Sequence, residues 1–293
     1  MIIRLQKIGF AVNNVTETWN LFRTLFGFEG YQEPPDETAG IERAVSLPFQ
    51  NDCELYLMES RQTASPVAGF LAEKGPGLER LTFLTDDIHQ DYERICQAGI
   101  PVVGDKIVTD NFGKRLFIGR EQAFGMTIEL TQTNYPVRFG TYRNPNGILG
   151  VQHIGTACLD IQAVSKKFET ILGKPMLGIR SDQHEGEQYD GWIETGNDHL
   201  ILHPTQSWGE NARVKHFIEA KGEGLEHISI EVADIRAAVR RVTSSGAAIH
   251  DHKIYTNRED GFEAFIFPEY TTGMTVELIE PHPDSRYYRH FRG

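Results

Sequence analysis

The sequence contains the same succession of segments twice, and this duplication limits the possible folds more than any other feature. The segment FLAEKGPGLERLTFLTDDI, which starts at Phe70, returns as FIEAKGEGLEHISIEVADI from Phe217. GMTIEL likewise returns as GMTVEL, and LQKIGFAVNNV as VQHIGTACLDI, always about 147 residues later. We therefore predict two homologous modules, at residues 1–133 and 149–281. A linker at residues 134–148 joins them, and a basic, aromatic tail follows at residues 282–293.

Each module contains two similar units. In the last unit the apolar segment HISIEV precedes Asp234, a residue type that caps helix N-termini. Ile235, Val239 and Val242 then recur with helical spacing, and Gly246 stands where a helix ends in the left-handed conformation. Strand-like segments follow, so the pattern predicts an α+β fold of four βαβββ units. The other three units begin near Ile8, Leu81 and Ile154.

Composition and charge exclude several classes of function. The chain is 40% hydrophobic and 24% charged, as in globular proteins, and its net charge of −12 argues against a nucleic-acid surface. No apolar run approaches the roughly 20 residues that span a bilayer, so no membrane association is expected. The three widely spaced cysteines do not form a disulfide framework, which favours a cytoplasmic protein. A small molecule is the expected partner.

The order of four βαβββ units resembles the vicinal oxygen chelate superfamily, which includes glyoxalase I, methylmalonyl-CoA epimerase, fosfomycin-resistance proteins, bleomycin-resistance proteins and extradiol dioxygenases. The resemblance covers nearly the whole chain outside the linker and tail. Locally, FIEAKGEGLEHISIEVADI and FPEYTTGMTVELIEP are most similar to methylmalonyl-CoA epimerases. The resemblance implies two tandem incomplete barrels, of which at least one surrounds a metal-centred cavity.

The resemblance also implies metal ligands on the first and last strands of a unit. Carried over to this chain, they fall on His153, His227 and Glu277 in the C-terminal module. Two imidazoles and one carboxylate suit a single divalent ion, whether Fe, Mn, Co, Ni or Zn, and leave coordination positions open for substrate. We predict that these three residues form one metal site.

The N-terminal module has Lys7, Arg80 and Glu129 at the same positions. Since cationic side chains do not ligate a cation, we expect this module to be metal-free. The three residues are expected to form an ion network that holds the module in shape. The alternative is an anion site for a second ligand.

Epimerase-like relatives often carry a fourth ligand on the strand that corresponds to HLILHP. Counting from its two ends assigns that position to Leu200 or Ile201, neither of which can coordinate a metal. A register slip of one residue would instead place His199 inside the metal cavity, as a ligand or a catalytic acid or base. His203 lies on the same predicted strand.

Two reaction classes follow from the resemblance. In epimerases, isomerases and lyases the metal chelates two adjacent oxygens and stabilises an enediolate while a base removes a proton. The resemblance places that base at Glu187 or Glu185. A third possibility is a protein that only binds a small molecule, as bleomycin-resistance proteins do.

The other reaction class is extradiol ring cleavage on Fe(II), for which His199 would be the active-site histidine. Extradiol enzymes carry a Tyr and a Pro before the final ligand, where this chain has Phe267 and Thr271. The catecholate-binding phenol is therefore absent unless Tyr270 or Tyr255 replaces it.

The tail is expected to pack on the body or cover the metal cavity, and the open barrels are compatible with a homodimer.

Overall fold

Two mixed β-sheets, one per module, form the framework of the described part of the chain. The computed structural model describes residues 1–133, 142–182, 188–209, 212–257 and 260–285. Each described sheet has eight strands, in the order β2-β3-β4-β1-β5-β8-β7-β6 and β10-β11-β12-β9-β13-β16-β15-β14. Both sheets therefore have the same topology, as the sequence duplication predicts.

The N-terminal sheet is built from two βαβββ units separated by an extra helix. Its central strands β1 and β5 run antiparallel, and each pairs in parallel with the last strand of its own unit. The elements are β1 (Ile2–Ala11), α1 (Val15–Phe26), β2 (Tyr31–Glu33), β3 (Arg43–Pro48), β4 (Glu54–Glu59), α2 (Pro66–Lys74), β5 (Gly77–Thr85), α3 (Ile88–Gln97), β6 (Val108–Asp110), β7 (Gly113–Ile118) and β8 (Thr127–Gln132).

The C-terminal sheet repeats this arrangement around the antiparallel pair of β9 and β13. Its elements are β9 (Ile148–Cys158), α4 (Ile161–Leu172), β10 (Leu177–Asp182), β11 (Gln188–Glu194), β12 (Ile201–Ser207), α5 (Arg213–Lys221), β13 (Gly224–Val232), α6 (Ile235–Ser244), β14 (Tyr255–Asn257), β15 (Gly261–Ile266) and β16 (Thr275–Pro281).

The helices of the four units begin where the sequence predicts. A side-chain oxygen of Asn14, Asp87, Asp160 or Asp234 accepts hydrogen bonds from the first backbone N–H groups of each helix. These helices bury their apolar faces in one hydrophobic core that includes residues of both modules. The opposite face of each sheet forms a concave surface, which we call the N-terminal or the C-terminal cup.

Helices α2 and α5 were not predicted by the repeat pattern. Ser65 caps α2 and Pro66 occupies its first turn, a combination typical of helix starts. Val67 and Phe70 of α2 join Tyr56 and Met58 in a small apolar cluster on the cup side of the sheet. Helix α2 therefore packs against the cup side of the N-terminal sheet.

The modules are joined by hydrogen bonds as well as by the shared core. Asn197 Oδ1 accepts from the backbone N of Leu5 at 2.9 Å, and Asn197 Nδ2 donates to the carbonyl of Leu5 at 2.9 Å and of Asn51 at 3.0 Å. Across the helices, Arg94 of α3 donates to the carbonyls of Thr170 and Ile171 at the end of α4. The structure thus connects the two sheets through main-chain groups.

Within the described residues, no helix combines the length and apolar character that crossing a membrane requires.

Candidate metal centre

Three neighbouring strands bring His153, His227 and Glu277 together in the C-terminal cup. His153 on β9 and Glu277 on β16 both pair with Ser229 of β13, from opposite sides of that strand. His227 precedes Ser229 by two residues, and alternate residues of a strand face the same side of the sheet. Each of the three side chains belongs to a residue at most 5% exposed.

The three potential ligand atoms lie at separations that fit one metal ion. His153 Nε2 is 2.9 Å from His227 Nε2, and Glu277 Oε2 is 3.2 Å from His153 Nε2 and 3.6 Å from His227 Nε2. Two atoms that are each about 2.1 Å from a metal lie about 3.0 Å apart at a right angle and about 3.4 Å apart at the tetrahedral angle. This set is the one group of three or more potential metal ligands found within the described residues.

The remaining ring nitrogens are held from outside the triad. His153 Nδ1 lies 2.8 Å from Gln152 Oε1, and His227 Nδ1 lies within hydrogen-bond distance of Glu226 Oε2. As donors to these oxygens, both Nδ1 atoms carry the proton, which leaves the Nε2 lone pairs directed at the common point. Arg213 of α5 pairs with Glu226 from the other side.

Burial and charge shift the pKa of each triad residue, and for His227 the Glu226 carboxylate outweighs burial and raises the pKa. Burial disfavours the imidazolium and lowers the pKa of His153 to about 4, so this ring is neutral at pH 7. Burial would raise the pKa of Glu277, but His153 and His227 outweigh it and hold that pKa well below its usual range. A neutral imidazole and an ionised carboxylate are the forms that bind metal.

Gly155 on β9 makes room for one of the ligands. A Cβ at this position would lie 2.1 Å from the ring of His227. Gly9 is the matching glycine of the other module. A Cβ at Gly9 would lie 2.8 Å from the Cβ of Arg80. The close approach of β9 and the His227 ring therefore requires glycine.

Two neighbouring residues, Ser229 and Ile201, determine what else could contact an ion at this point. Ser229 pairs with His153 on one side and with Glu277 on the other. Its hydroxyl is buried and has no hydrogen-bond partner in the described part of the chain. The fourth-ligand position is occupied by Ile201, which pairs with His153 in the parallel β9–β12 register. Of the two residues that the sequence allows there, the register selects Ile201, so this position contributes no ligand.

His203 is the functional candidate that the sequence interpretation passed over. It lies two residues after Ile201 on β12, and its ring centroid is 5.2 Å from that of His153 in an edge-to-face arrangement. His203 Nε2 is 3.4 Å from Asp190 Oδ2, and Asp190 Oδ1 accepts from Arg180 Nε at 3.0 Å. Once the register with β9 places Ile201 in the cup, alternation along the strand places His203 there as well.

The prediction that His199 lies on this strand is wrong. Strand β12 begins at Ile201, and His199 stands in the preceding turn with a φ of 57°. Its Nε2 contacts Asp198 at 3.2 Å, and its side chain is 31% exposed. The left-handed backbone at His199 changes the direction of the chain, so the one-residue slip that would place this ring in the cup does not occur.

Glu185 and Glu187, the carboxylates considered as bases, and tail residues 286–293 lie outside the described residues. The phenols considered for substrate binding are described. Tyr255 donates its hydroxyl to Asp251 at 2.7 Å and contacts His250, whereas Tyr270 packs against the core. Neither phenol forms a hydrogen bond to the triad.

In the N-terminal module the matching positions hold ion pairs. Arg80 contacts Glu79 at 3.3 Å and Glu129 at 3.5 Å, and Glu129 also pairs with Arg115. Lys7 does not join this network and pairs instead with Glu33 at 2.8 Å. Glu79 and Glu226 occupy matching positions in the two modules, so one buried carboxylate orients Arg80 and the other orients His227.

Comparisons with known proteins match both modules. The family model described as Glyoxalase/Bleomycin resistance protein/Dioxygenase superfamily matches residues 6–117 and 152–265. Among curated proteins, the uncharacterized protein YqjC of Bacillus subtilis (strain 168) is 25% identical over 135 residues, which are 46% of this chain and 94% of YqjC.

Solved structures include one that matches across both modules. A triple mutant of 4-hydroxymandelate synthase from Streptomyces coelicolor has a TM-score of 0.72 and 16% identity, over 96% of this chain and 93% of that chain. Methylmalonyl-CoA epimerase from Mycobacterium tuberculosis has a TM-score of 0.45 and 20% identity, over 49% of this chain and 95% of that chain. The first comparison shows a shared fold along nearly the whole chain.

Proposed function

Because the chain belongs to the glyoxalase/bleomycin resistance protein/dioxygenase superfamily, we propose that it is a divalent-metal-dependent enzyme for a small substrate bound through two adjacent oxygens. The reaction we propose is proton transfer next to a carbonyl, as in an epimerase, isomerase or lyase. The convergence of His153, His227 and Glu277 within 3.6 Å of one another supports this proposal.

The triad would hold the ion, and the ion when bound would act as a Lewis acid on a carbonyl oxygen. Ile201 supplies no donor atom, so a bound ion would take its remaining ligands from substrate oxygens or water. The Ser229 hydroxyl is available as a donor to a substrate oxygen in the same layer of the cup. The substrate would therefore be oriented from two sides.

His203 is the acid or base of this proposal. Burial would raise the pKa of Asp190, but the hydrogen bond to His203 and the charge of Arg180 outweigh it and lower that pKa. Asp190 is therefore ionised at neutral pH, orients the His203 ring and stabilises the imidazolium that forms when the ring accepts a proton. This role replaces the one that the sequence assigned to His199.

Solvent exchange tests the proposed reaction. We expect the protein, loaded anaerobically with Mn(II), Co(II), Ni(II) or Zn(II), to catalyse deuterium exchange into 2-oxo acids or acyl-CoA thioesters in D₂O. His203→Gln should lower the exchange rate by about 10²- to 10⁴-fold, the usual contribution of a general acid or base, with metal content unchanged. Exchange that survives in His203→Gln would contradict the assigned role, and no exchange with any loaded metal would contradict the reaction.

A second candidate is an Fe(II) oxygenase. It is favoured by Ile201, because three protein ligands on a six-coordinate ion leave positions for two substrate oxygens and for dioxygen. Its test is oxygen uptake by Fe(II)-loaded protein with a panel of catechols. Uptake without deuterium exchange would favour this candidate, and the loss of both activities with tight metal binding retained would favour a binding protein.

A further inference from the structure

The N-terminal cup contains a cavity of about 610 Å³. This volume lies within the range of about 300–1,000 Å³ that is typical of small-molecule sites. The cavity is lined by residues of the N-terminal sheet and of the loops beside its strands, and therefore lies in a different module from the three candidate metal ligands. Nothing in the proposed function of the C-terminal module uses it.

The cations that line this cavity already have anionic partners. Lys7 pairs with Glu33 at 2.8 Å and Arg4 with Asp52 at 3.3 Å. Arg115 pairs with two aspartates and with Glu129. An anionic ligand would have to compete with these internal carboxylates, so the geometry argues against the anion site that the residue types alone allow.

Carboxylates outnumber cations in the described lining. Three cationic side chains, those of Arg4, Lys7 and Arg115, face six acidic ones. Glu54 accepts its hydrogen bond from the neutral Tyr31 hydroxyl and forms no ion pair with a described cation. The acidic residues of the lining are Glu29, Glu33, Asp36, Asp52, Glu54 and Glu129.

Two tyrosines of the lining, Tyr31 and Tyr56, are protonated and provide neutral aromatic surface beside the carboxylates. Burial, followed by the neighbouring carboxylates, raises the pKa of both Tyr31 and Tyr56. Tyr31, Tyr56 and Phe112 also supply aromatic surface to the cavity, and Lys7 already lies 4.2 Å from the ring centroid of Tyr56. Aromatic faces and carboxylates together are the surroundings that an organic cation prefers.

We propose that the N-terminal cup is a second binding site, for a small organic cation that carries an amine or guanidinium group on an apolar body. A bare metal ion is a poorer occupant, because the cavity is large and its carboxylates do not converge as a described group of potential metal ligands. The site is independent of the metal triad, so its failure would leave the proposed function of the C-terminal module intact.

Three probes of one shape and different charge test this proposal. 2-Phenylethylamine is cationic, 2-phenylethanol is neutral and phenylacetate is anionic. Each is titrated calorimetrically into the full-length protein after treatment with a chelator, so that a bound metal cannot attract the anion. We expect saturable binding of the amine at about 1 mM or tighter, at least about tenfold weaker binding of the alcohol, and none of the carboxylate.

Charge variants locate the binding. Glu54→Gln should weaken amine binding at least about tenfold, because a charge-assisted hydrogen bond is lost. Glu29→Lys changes an exposed residue of the lining and should weaken binding without affecting folding. Glu93→Gln, on the exposed surface of α3, is the matched control and should bind the amine normally.

Three outcomes would overturn the proposal. The first is the absence of saturable amine binding, and the second is equal binding of the amine and the carboxylate. Amine binding that persists unchanged in both Glu54→Gln and Glu29→Lys would overturn it as well, because the amine would then be bound elsewhere. In each case the ion pairs of the N-terminal cup would have only a structural role.

Discussion

Single residues outside the triad determine how the two histidine rings are held. Glu226 lies against His227 Nδ1 and is itself paired with Arg213. Burial would raise the pKa of Glu226, but Arg213 and His227 lower it to about 2, so the carboxylate is ionised at every pH at which the protein would function. An ionised acceptor at Nδ1 makes Nε2 a stronger metal ligand.

We expect Glu226→Gln to weaken metal affinity by about 10- to 100-fold, because an amide is a poorer acceptor than a carboxylate for the His227 ring. Competition with a metal-sensitive chelating dye measures the change. Glu219→Gln, on the exposed side of α5, removes the same charge and should have no effect. Equal affinities for Glu226→Gln and the unaltered protein would show that Glu226 does not position His227.

Gly155 also determines how His227 is held, because a glycine at this position leaves room for the His227 ring. Gly155→Ala should displace this ring and lower metal affinity by at least about tenfold, since its Cβ would stand 2.1 Å from a ring atom. Gly9→Ala is the matched change in the other module, where the near atoms belong to Arg80 and Met58.

Both glycine variants should be less stable to denaturant, but only Gly155→Ala should bind metal more weakly. A parallel loss of metal affinity in Gly9→Ala would mean that the effect is transmitted through the shared core. The comparison thus separates local crowding from general destabilisation.

At the scale of elements, the sequence predicted the helices of the four units better than the strand ends. Asp234 and the apolar spacing after it are local signals, and local hydrogen bonds decide where such a helix begins. The facing of β12 depends instead on which of its residues pairs with His153. That register is a long-range property, so His203 could not be assigned to the cup from the strand sequence alone.

The turn before β12 also joins the modules, and its asparagine provides an element-scale prediction. Asn197→Ala removes three hydrogen bonds to the main chain of Leu5 and Asn51, although the Leu5 N–H keeps its bond to the Thr195 carbonyl at 3.0 Å. We expect the free energy of unfolding to fall by about 2–4 kcal/mol. Chemical denaturation measures it, and Asn20→Ala, at an exposed site on α1, should cost less than about 0.5 kcal/mol.

A loss below about 1 kcal/mol in Asn197→Ala would show that water replaces these bonds, and that the shared core alone joins the modules. The sequence did not predict this contact between the modules. Asn197 and Leu5 are separated by 192 positions, and the duplication shows that the modules are homologous but not how they pack against each other.

At the scale of the whole molecule, metal binding under the proposed function should stabilise both modules, although only the C-terminal one contains the candidate triad. One hydrophobic core includes residues of both sheets, which favours a single unfolding transition. A metal ion present at 100 times its dissociation constant should raise the free energy of unfolding by about 2.7 kcal/mol.

Thermal unfolding with and without added Zn(II) tests this expectation. The midpoint should rise on addition of metal, and the rise should disappear in the double variant His153→Ala, His227→Ala. An equal rise in the double variant would place the stabilising ion elsewhere. Two separate transitions, of which only one responds to metal, would show that the modules unfold independently despite the shared core.

The pairing of Glu79 with Arg80, and of Glu226 with His227, has a consequence for how the halves depend on their surroundings. The guanidinium of Arg80 is part of the chain, so the N-terminal cup has its central positive charge as soon as it is synthesised. The C-terminal cup has a neutral His153 beside an ionised Glu277, and under the proposed function its central cation would be a metal ion taken from the medium. Under the proposed function, scarcity of metal in the medium would therefore leave the C-terminal cup without its central charge, whereas the N-terminal cup would keep its own.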